Sequence, residues 1–229
     1  MFRVLSLKSN MSRRLPIFIV IFLTIFTSCD REIEDGQVDL GYDFQPLEIG
    51  LFWIYAVDQL TYFGENDSVP ELFFYKDKIR SFYTNAEDEQ VFIVQRSKSS
   101  GGINWIPKIE YTLIQRDFSL IRTIENQALV TLVFPPKDGV SWNGNAFIND
   151  VGDDFEIVNS GSTIRINQED SDDEVTYRDI RYEVYEKSVG LVEKYDEVLT
   201  YCSRNDCLGD MLIDSGFKIQ MKLTDYGKD

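Results

Sequence analysis

The amino-acid sequence predicts an all-β protein, built as an antiparallel curved sheet or open half-barrel; a β-sandwich is the alternative. Three observations lead to this fold class. Segments rich in aromatic and β-branched residues recur at intervals of roughly ten residues, as in all-β domains. Turn residues such as Gly, Asn and Asp separate them. No long segment repeats its apolar residues with the helical period of 3.6.

The predicted strands follow one another along most of the chain. In the first half they cover residues 51–63, 72–83, 90–96, 108–115, 120–125 and 128–134, with breaks at 85–88 and 99–102. In the second half they cover residues 154–158, 162–167, 175–186, 190–200 and 216–223. The last segment alternates most regularly, with Phe217, Ile219 and Met221 on one face and Lys218 and Gln220 on the other. This alternation predicts a sheet with one face in water.

A short motif occurs twice and suggests two related halves. Residues 46–53 and 135–142 each contain Pro, an acidic residue, a Gly and, three positions after that Gly, a Trp. Pro restricts φ and Gly permits an unusual turn, so each copy predicts a sharp chain reversal beside a packed Trp. Coincidence of common turn residues is the alternative explanation.

The N-terminus has the layout of an export signal. Residues 1–28 carry four basic residues and no acid, and residues 15–26 are almost entirely apolar. This run is shorter than the 20 or so residues that a transmembrane helix needs, and it ends in small residues, as a secretory signal does. We therefore expect a signal peptide at 1–28, an acidic tether at 29–43 and a single β-rich domain at 44–229. Without the signal, the net charge changes from −16 to −20.

The end of this signal resembles the lipobox of bacterial lipoproteins. The sequence Phe-Thr-Ser-Cys closes the apolar run, and in that family the Cys, here Cys29, carries the lipid. The acidic residues that follow resemble the surface-export signal of Bacteroidetes-type lipoproteins. The resemblance implies a protein held to the outer membrane or cell surface through its N-terminal lipid. Several acyl chains on one residue anchor a protein stably.

The other two cysteines predict a disulfide. Cys202 and Cys207 are close in sequence, with the turn residues Asn205 and Asp206 between them. Exported proteins meet an oxidising compartment, so we expect this pair to close a hairpin loop. A redox pair is the alternative, although redox motifs have the tighter Cys-x-x-Cys spacing.

The composition makes several classes of activity poor fits. The chain has no His, which excludes a Ser-His-Asp triad and His-ligated metals. A net charge of −16 argues against a nucleic-acid partner, because phosphate binding needs a basic surface. No phosphate-binding glycine loop and no nucleophile elbow occurs. The sequence thus favours a protein that is not an enzyme and has no cofactor.

Only weak candidates for ligand contact emerge. Asp153 and Asp154 lie in an acid-rich stretch and would be the first choice for a calcium site, although the spacing does not match a calcium loop. Trp105 lies beside Gly101 and Gly102 in a predicted loop, so it is the best candidate for an exposed aromatic ring. Solvated acidic loops and core packing are the alternatives for these residues.

Three sequence blocks resemble uncharacterised Bacteroidetes-type secreted lipoproteins. They are residues 46–55, 141–145 and 188–192. The resemblance implies a lipid-anchored β-rich protein and no particular activity or catalytic residue. The sequence therefore predicts a non-enzymatic binding or structural accessory module, with a protein or glycan partner at the cell surface. A glycan-binding or carbohydrate-active protein, using paired carboxylates and aromatic rings, is the alternative.

Overall fold

A computed structural model of the chain describes residues 39–148, 152–158 and 161–229. Within them the fold is all-β, as predicted, with a single 3₁₀ turn at Tyr42–Phe44. The first six strands are β1 (Leu51–Gly64), β2 (Asp67–Thr84), β3 (Gln90–Ser99), β4 (Ile106–Gln115), β5 (Ser119–Ile124) and β6 (Gln127–Val133). The other six are β7 (Ser141–Asn143), β8 (Asp154–Val158), β9 (Thr163–Asp172), β10 (Tyr177–Glu186), β11 (Gly190–Tyr201) and β12 (Ile213–Lys228).

All twelve strands form one antiparallel sheet. Each of the two halves of the chain is a six-stranded meander, and β1 pairs with β12 to join them. The remaining gap lies between β6 and β7. There the Val130 amide donates to the Gly144 carbonyl (2.9 Å), and the Trp142 indole donates to the Val130 carbonyl (2.8 Å). The sheet is therefore nearly closed and barrel-like, which confirms the predicted curved sheet; the β-sandwich alternative is not what these strands form.

Two hairpins turn on the same Glu-Asn dipeptide. Glu65 and Asn66 connect β1 to β2, and Glu125 and Asn126 connect β5 to β6; all four have positive φ. Two successive residues with positive φ match the right-handed twist of the flanking strands, so such turns favour tight hairpins. Because of the first turn, β2 begins at Asp67, five residues before the predicted strand.

One end of the sheet is filled by the segment that precedes β1. Phe44 is buried, the Tyr42 ring packs edge-on against Phe134 with centroids 5.0 Å apart, and the Trp53 indole donates to the Val189 carbonyl (2.6 Å). The compact unit runs from Asp39 to Asp229, so residues 39–43 of the predicted tether belong to it. Residues 29–38 lie outside the described part of the chain. We call this filled end the plugged end.

The repeated Pro-Gly-Trp motif has similar local geometry in both copies. Gly50 and Gly139 both have positive φ, and each indole donates to a backbone carbonyl, in the β10–β11 turn for Trp53 and on β6 for Trp142. The surroundings differ, because Trp53 is buried in a fourteen-residue strand and Trp142 lies in a three-residue strand. The structure therefore shows a similar turn in the two halves of the chain. That the halves as a whole are related stays a prediction.

Candidate binding site at the β3–β4 loop

The interior of the sheet contains a buried ion pair between β2 and β3. The Arg96 guanidinium donates to both carboxylate oxygens of Asp77, at 2.7 and 2.6 Å, and the Tyr111 hydroxyl donates to the second oxygen at 3.0 Å. Burial, reinforced by Asp77, raises the pKa of Tyr111 far above its ordinary value, so Tyr111 remains a hydrogen-bond donor. This carboxylate has its hydrogen bonds satisfied by the protein itself.

A second buried ion pair crosses the interior from β5 to β10. Arg122 donates to Glu183, at 2.5 Å to one oxygen and 3.2 Å to the other, and Tyr185 and Lys194 also donate to this carboxylate. Burial alone would raise the pKa of Glu183, but Arg122 and Lys194 outweigh it and lower the pKa to about 2. A carboxylate so firmly ionised and paired is unsuited to proton transfer near neutral pH.

The end of the sheet opposite the plugged end carries a group of strongly exposed apolar side chains. Ile103 is 82% exposed, Leu72 is 73% exposed and Ile106 is 62% exposed. All three belong to the loop between β3 and β4 or to the strands next to it. Exposed apolar side chains gathered in one place indicate an interaction site, whereas single scattered ones do not.

An apolar groove of about 400 Å³ runs along the outer face of the sheet beside this loop. Its floor is Ala56, which pairs with Phe74 on β2 and with Lys222 on β12. Alternation along the strands puts all three side chains on the same face. The small Ala side chain leaves a depression between its two larger neighbours. Leu72 adds apolar surface to it, and Ser100 of the loop lies at its border.

A second pocket of about 530 Å³ lies against the same loop. It is lined by the Lys98–Glu71 ion pair, with a distance of 2.5 Å between Nζ and Oε1, and by Lys108 and Asn104. Ser100 lines both the groove and the pocket. We therefore treat the two as one site around residues 99–108 and call it the β3–β4 loop site.

The weak candidates of the sequence fall at different places. Trp105 belongs to this loop, but it is half-buried and lines neither the groove nor the pocket. Asp153 and Asp154 are adjacent at the start of β8, far from the loop in the sheet order. Asp153 lies 3.7 Å from Arg181; burial raises the pKa of Asp153, and Arg181 offsets this in part. Among the described residues, no three His, Cys, Asp or Glu side chains form a metal-binding group.

Of the two cysteine predictions, the structure confirms the disulfide, whereas the lipid-bearing cysteine lies outside the described residues. Cys202 and Cys207 form a disulfide that closes the loop between β11 and β12, as predicted. The tip of the β1–β2 hairpin packs beside this loop, where Asn66 exchanges hydrogen bonds with Ile213. Cys29 lies in the part of the chain that the structure does not describe.

A row of aromatic and cationic side chains on the outer face bears on the glycan alternative. The Tyr182 and Tyr195 rings stack with centroids 5.2 Å apart. Arg165 lies 3.6 Å above the Tyr182 ring, and Lys218 lies 5.5 Å from the Tyr195 ring. Each ring thus already has partners of its own, which leaves little room for a sugar to stack there.

Residue types alone could not have located the β3–β4 loop site. Nothing in the local sequence marks the residues that form the groove. Only the sheet register brings together three strand residues of common types, Ala56, Phe74 and Lys222. The one usable signal was the Ser-Ser-Gly-Gly break at 99–102, which the sequence did mark as a loop.

No protein-family model matches the sequence, and no curated protein is significantly similar to it. The described residues include no helix with the length and apolar character needed to cross a bilayer. The fold and site therefore define only a class: a nearly closed antiparallel sheet with a packed, charge-paired interior and a surface site at one end.

Proposed function

We propose that the protein is a lipid-anchored, exported bacterial surface protein whose sheet acts as a non-enzymatic binding module. The observation that supports this role is the position of the β3–β4 loop site relative to the point where the chain enters the sheet. The chain enters at the plugged end, where Asp39 pairs with Lys187, and the exposed apolar side chains of the β3–β4 loop site lie at the opposite end. A tether at the plugged end would leave this site facing away from the membrane.

The interior supports a binding role at the surface over chemistry inside the sheet. The two most deeply buried carboxylates, Asp77 and Glu183, are each bonded to a guanidinium and a tyrosine hydroxyl. Large side chains such as Phe155, Ile166 and Tyr185 are fully buried in the same interior. These contacts favour recognition at the β3–β4 loop site over chemistry at the buried carboxylates, and the glycan alternative has no comparable support.

The anchor is tested by replacing its lipid-bearing residue. Wild-type protein should sediment with membranes and carry acyl chains in its mass, because two or more chains hold a protein stably. Cys29→Ser should shift to the soluble fraction and lose this mass. An acylated, membrane-bound Cys29→Ser variant would rule the anchor out.

The presentation of the binding end is tested separately by labelling intact cells with a membrane-impermeant maleimide. Ile103→Cys puts a thiol on an 82% exposed loop residue, whereas Ile164→Cys puts one in the core as a control. We expect Ile103→Cys to be labelled on intact cells and Ile164→Cys to react after denaturation only. Equal protection of both variants in intact cells would contradict display at the surface.

A further inference from the structure

We infer that the β3–β4 loop site binds a single-chain amphiphile with an anionic head group, of the chemical class of a free fatty-acid carboxylate. The inference rests on the proposed role of this loop as the binding site, but it is independent of the anchor at Cys29. It uses two features of the site: an apolar groove beside a polar pocket, and cations that have no partner in the described chain.

The apolar groove suits a single hydrocarbon chain. Its floor and walls are Ala56, Phe74 and Leu72, and the exposed Leu72 side chain would lose contact with water when a chain covers it. The β3–β4 loop borders the groove at Phe74, where a Cβ built on Gly102 would meet the ring at 3.8 Å. Its volume of about 400 Å³ falls in the range of small-molecule sites, which are mostly apolar with a few polar groups.

The polar pocket offers positive charge to a head group. In this chain, with a net charge of −16, most cations of the described residues are held by a carboxylate. Lys108 and Lys222 are among the minority of cations that form no ion pair with any described residue, and both line this site.

The charge that favours an anion lies in the pocket. Lys98 and Glu71 neutralise each other there, so Lys108 leaves the pocket lining with one positive charge. At the groove edge Lys222 shares the outer face with two carboxylates, those of Asp58 and of its β11 partner Glu193, so the groove adds no net positive charge. Lys108 shares its pocket with Asn104 and Ser100, whose polar groups can bind carboxylate oxygens. The head group is therefore assigned to the pocket and the chain to the groove.

The test is isothermal titration of sodium dodecanoate, below its micelle concentration, into the full chain carrying Cys29→Ser. The reference protein and every variant then share the same N-terminal residues, so any probe binding to those residues cancels when their affinities are compared. We expect saturable binding of one molecule per chain. Shortening the probe to decanoate should weaken binding by roughly 2- to 4-fold for each methylene removed.

Two variants with matched controls locate the site. Ala56→Leu fills the groove floor and should weaken binding at least 10-fold, whereas Ala128→Leu, at a half-buried strand alanine in β6, should leave it unchanged. Lys108→Gln should weaken binding by about 3- to 10-fold, whereas Lys137→Gln, an exposed lysine near the plugged end, should not. Unchanged far-UV circular dichroism would show that each variant is folded.

Several results would overturn the inference. Absence of saturable binding would do so, and so would full affinity in Ala56→Leu. Equal affinity for dodecanol or dodecyltrimethylammonium would contradict the role of the lysines, and binding to phosphatidylcholine vesicles without binding of the monomeric probe would point to a membrane surface instead. None of these outcomes bears on the fractionation of Cys29→Ser, so failure of this inference and failure of the anchor are distinguishable.

Discussion

Glu183 is the side chain on which the largest number of interior contacts converge. Its fully buried carboxylate accepts hydrogen bonds from Arg122, Tyr185 and Lys194, which belong to β5, β10 and β11. A buried ion pair adds little net stability compared with apolar residues of the same size, but removal of one partner leaves the other charge buried without compensation. Loss of the Glu183 carboxylate therefore destabilises the protein mainly because the Arg122 charge stays buried without a partner.

We predict that Glu183→Gln lowers the free energy of unfolding at pH 7 by about 3–5 kcal/mol. Urea denaturation measures this loss as a lower midpoint with an unchanged slope. The matched control is Glu110→Gln, at an exposed β4 carboxylate with no ion pair to any residue the structure describes, and it should change stability by about 0.5 kcal/mol at most. Equal effects of the two substitutions would show that the pair contributes nothing.

The same residue sets an acid limit on stability. The pKa of Glu183 is lowered from its ordinary 4.5 to about 2, so its contribution is complete above pH 4.5 and is lost as the pH falls through 2. We expect the wild-type protein to lose about 3 kcal/mol more than Glu183→Gln between pH 5 and pH 2. Urea titrations of both proteins at several pH values check this; parallel pH profiles would contradict it.

Among the elements, the β11–β12 hairpin has the closest backbone contact. Gly216 has a φ of +131°, and it pairs with Leu199 on β11 and Tyr62 on β1. A Cβ at this position would lie 2.2 Å from the Val198 carbonyl oxygen. Both the dihedral and the contact require glycine, because a β-carbon could be placed only by moving the strand.

Gly216→Ala should therefore destabilise the protein by about 2–3 kcal/mol, through backbone strain and a disrupted strand pair. Gly101→Ala is the control, since a Cβ there meets nothing within 4 Å. It should change stability by less than about 1 kcal/mol. Thermal or urea unfolding of both variants gives the comparison, and a Gly216→Ala protein as stable as the control would refute the steric argument.

Local patterns predicted most strands, because alternation and turn residues act over a few positions. Residues 217–223 are one strand with Met221 buried, as the alternation indicated. Phe217 faces the same way but stays 38% exposed, because β12 extends past the short strands β5 to β8. The three-residue β7 was missed, since so short a segment has no period, and it forms only through its partner β8.

The closure of the sheet was beyond local patterns for a different reason. β1 and β12 stand at opposite ends of the described chain, and no local signal specifies their pairing. The β3–β4 loop site inherits this difficulty, because its floor at Ala56 lies between Phe74 on β2 and Lys222 on β12. The sequence therefore predicted the curved sheet but neither its near closure nor the groove on its outer face.

At the scale of the whole molecule, the two meanders depend on each other. The Trp53 indole and the Tyr55 hydroxyl donate to the Val189 and Leu191 carbonyls, and the Arg122–Glu183 pair spans the interior. The inner apolar face of each six-stranded half is covered by the other half and, at the plugged end, by the segment before β1, since one core cluster includes residues from all three. The chain should therefore fold as one cooperative unit although it has two six-stranded parts.

This dependence predicts that neither half folds alone. Fragments 39–137 and 138–229, expressed separately, should each lack a cooperative urea transition, because each would leave an apolar sheet face and one partner of the Arg122–Glu183 pair uncovered. The control is a circular permutant with the same break, in which a Gly-Ser linker joins residue 229 to residue 39; Asp229 already bonds to Gly50 near the plugged end. This permutant keeps every strand pair and should unfold in a single transition, with fluorescence and circular dichroism coinciding. A cooperative transition in fragment 39–137 alone would show instead that the first meander is an independent domain. The interior contacts would then join two meanders that are each already folded.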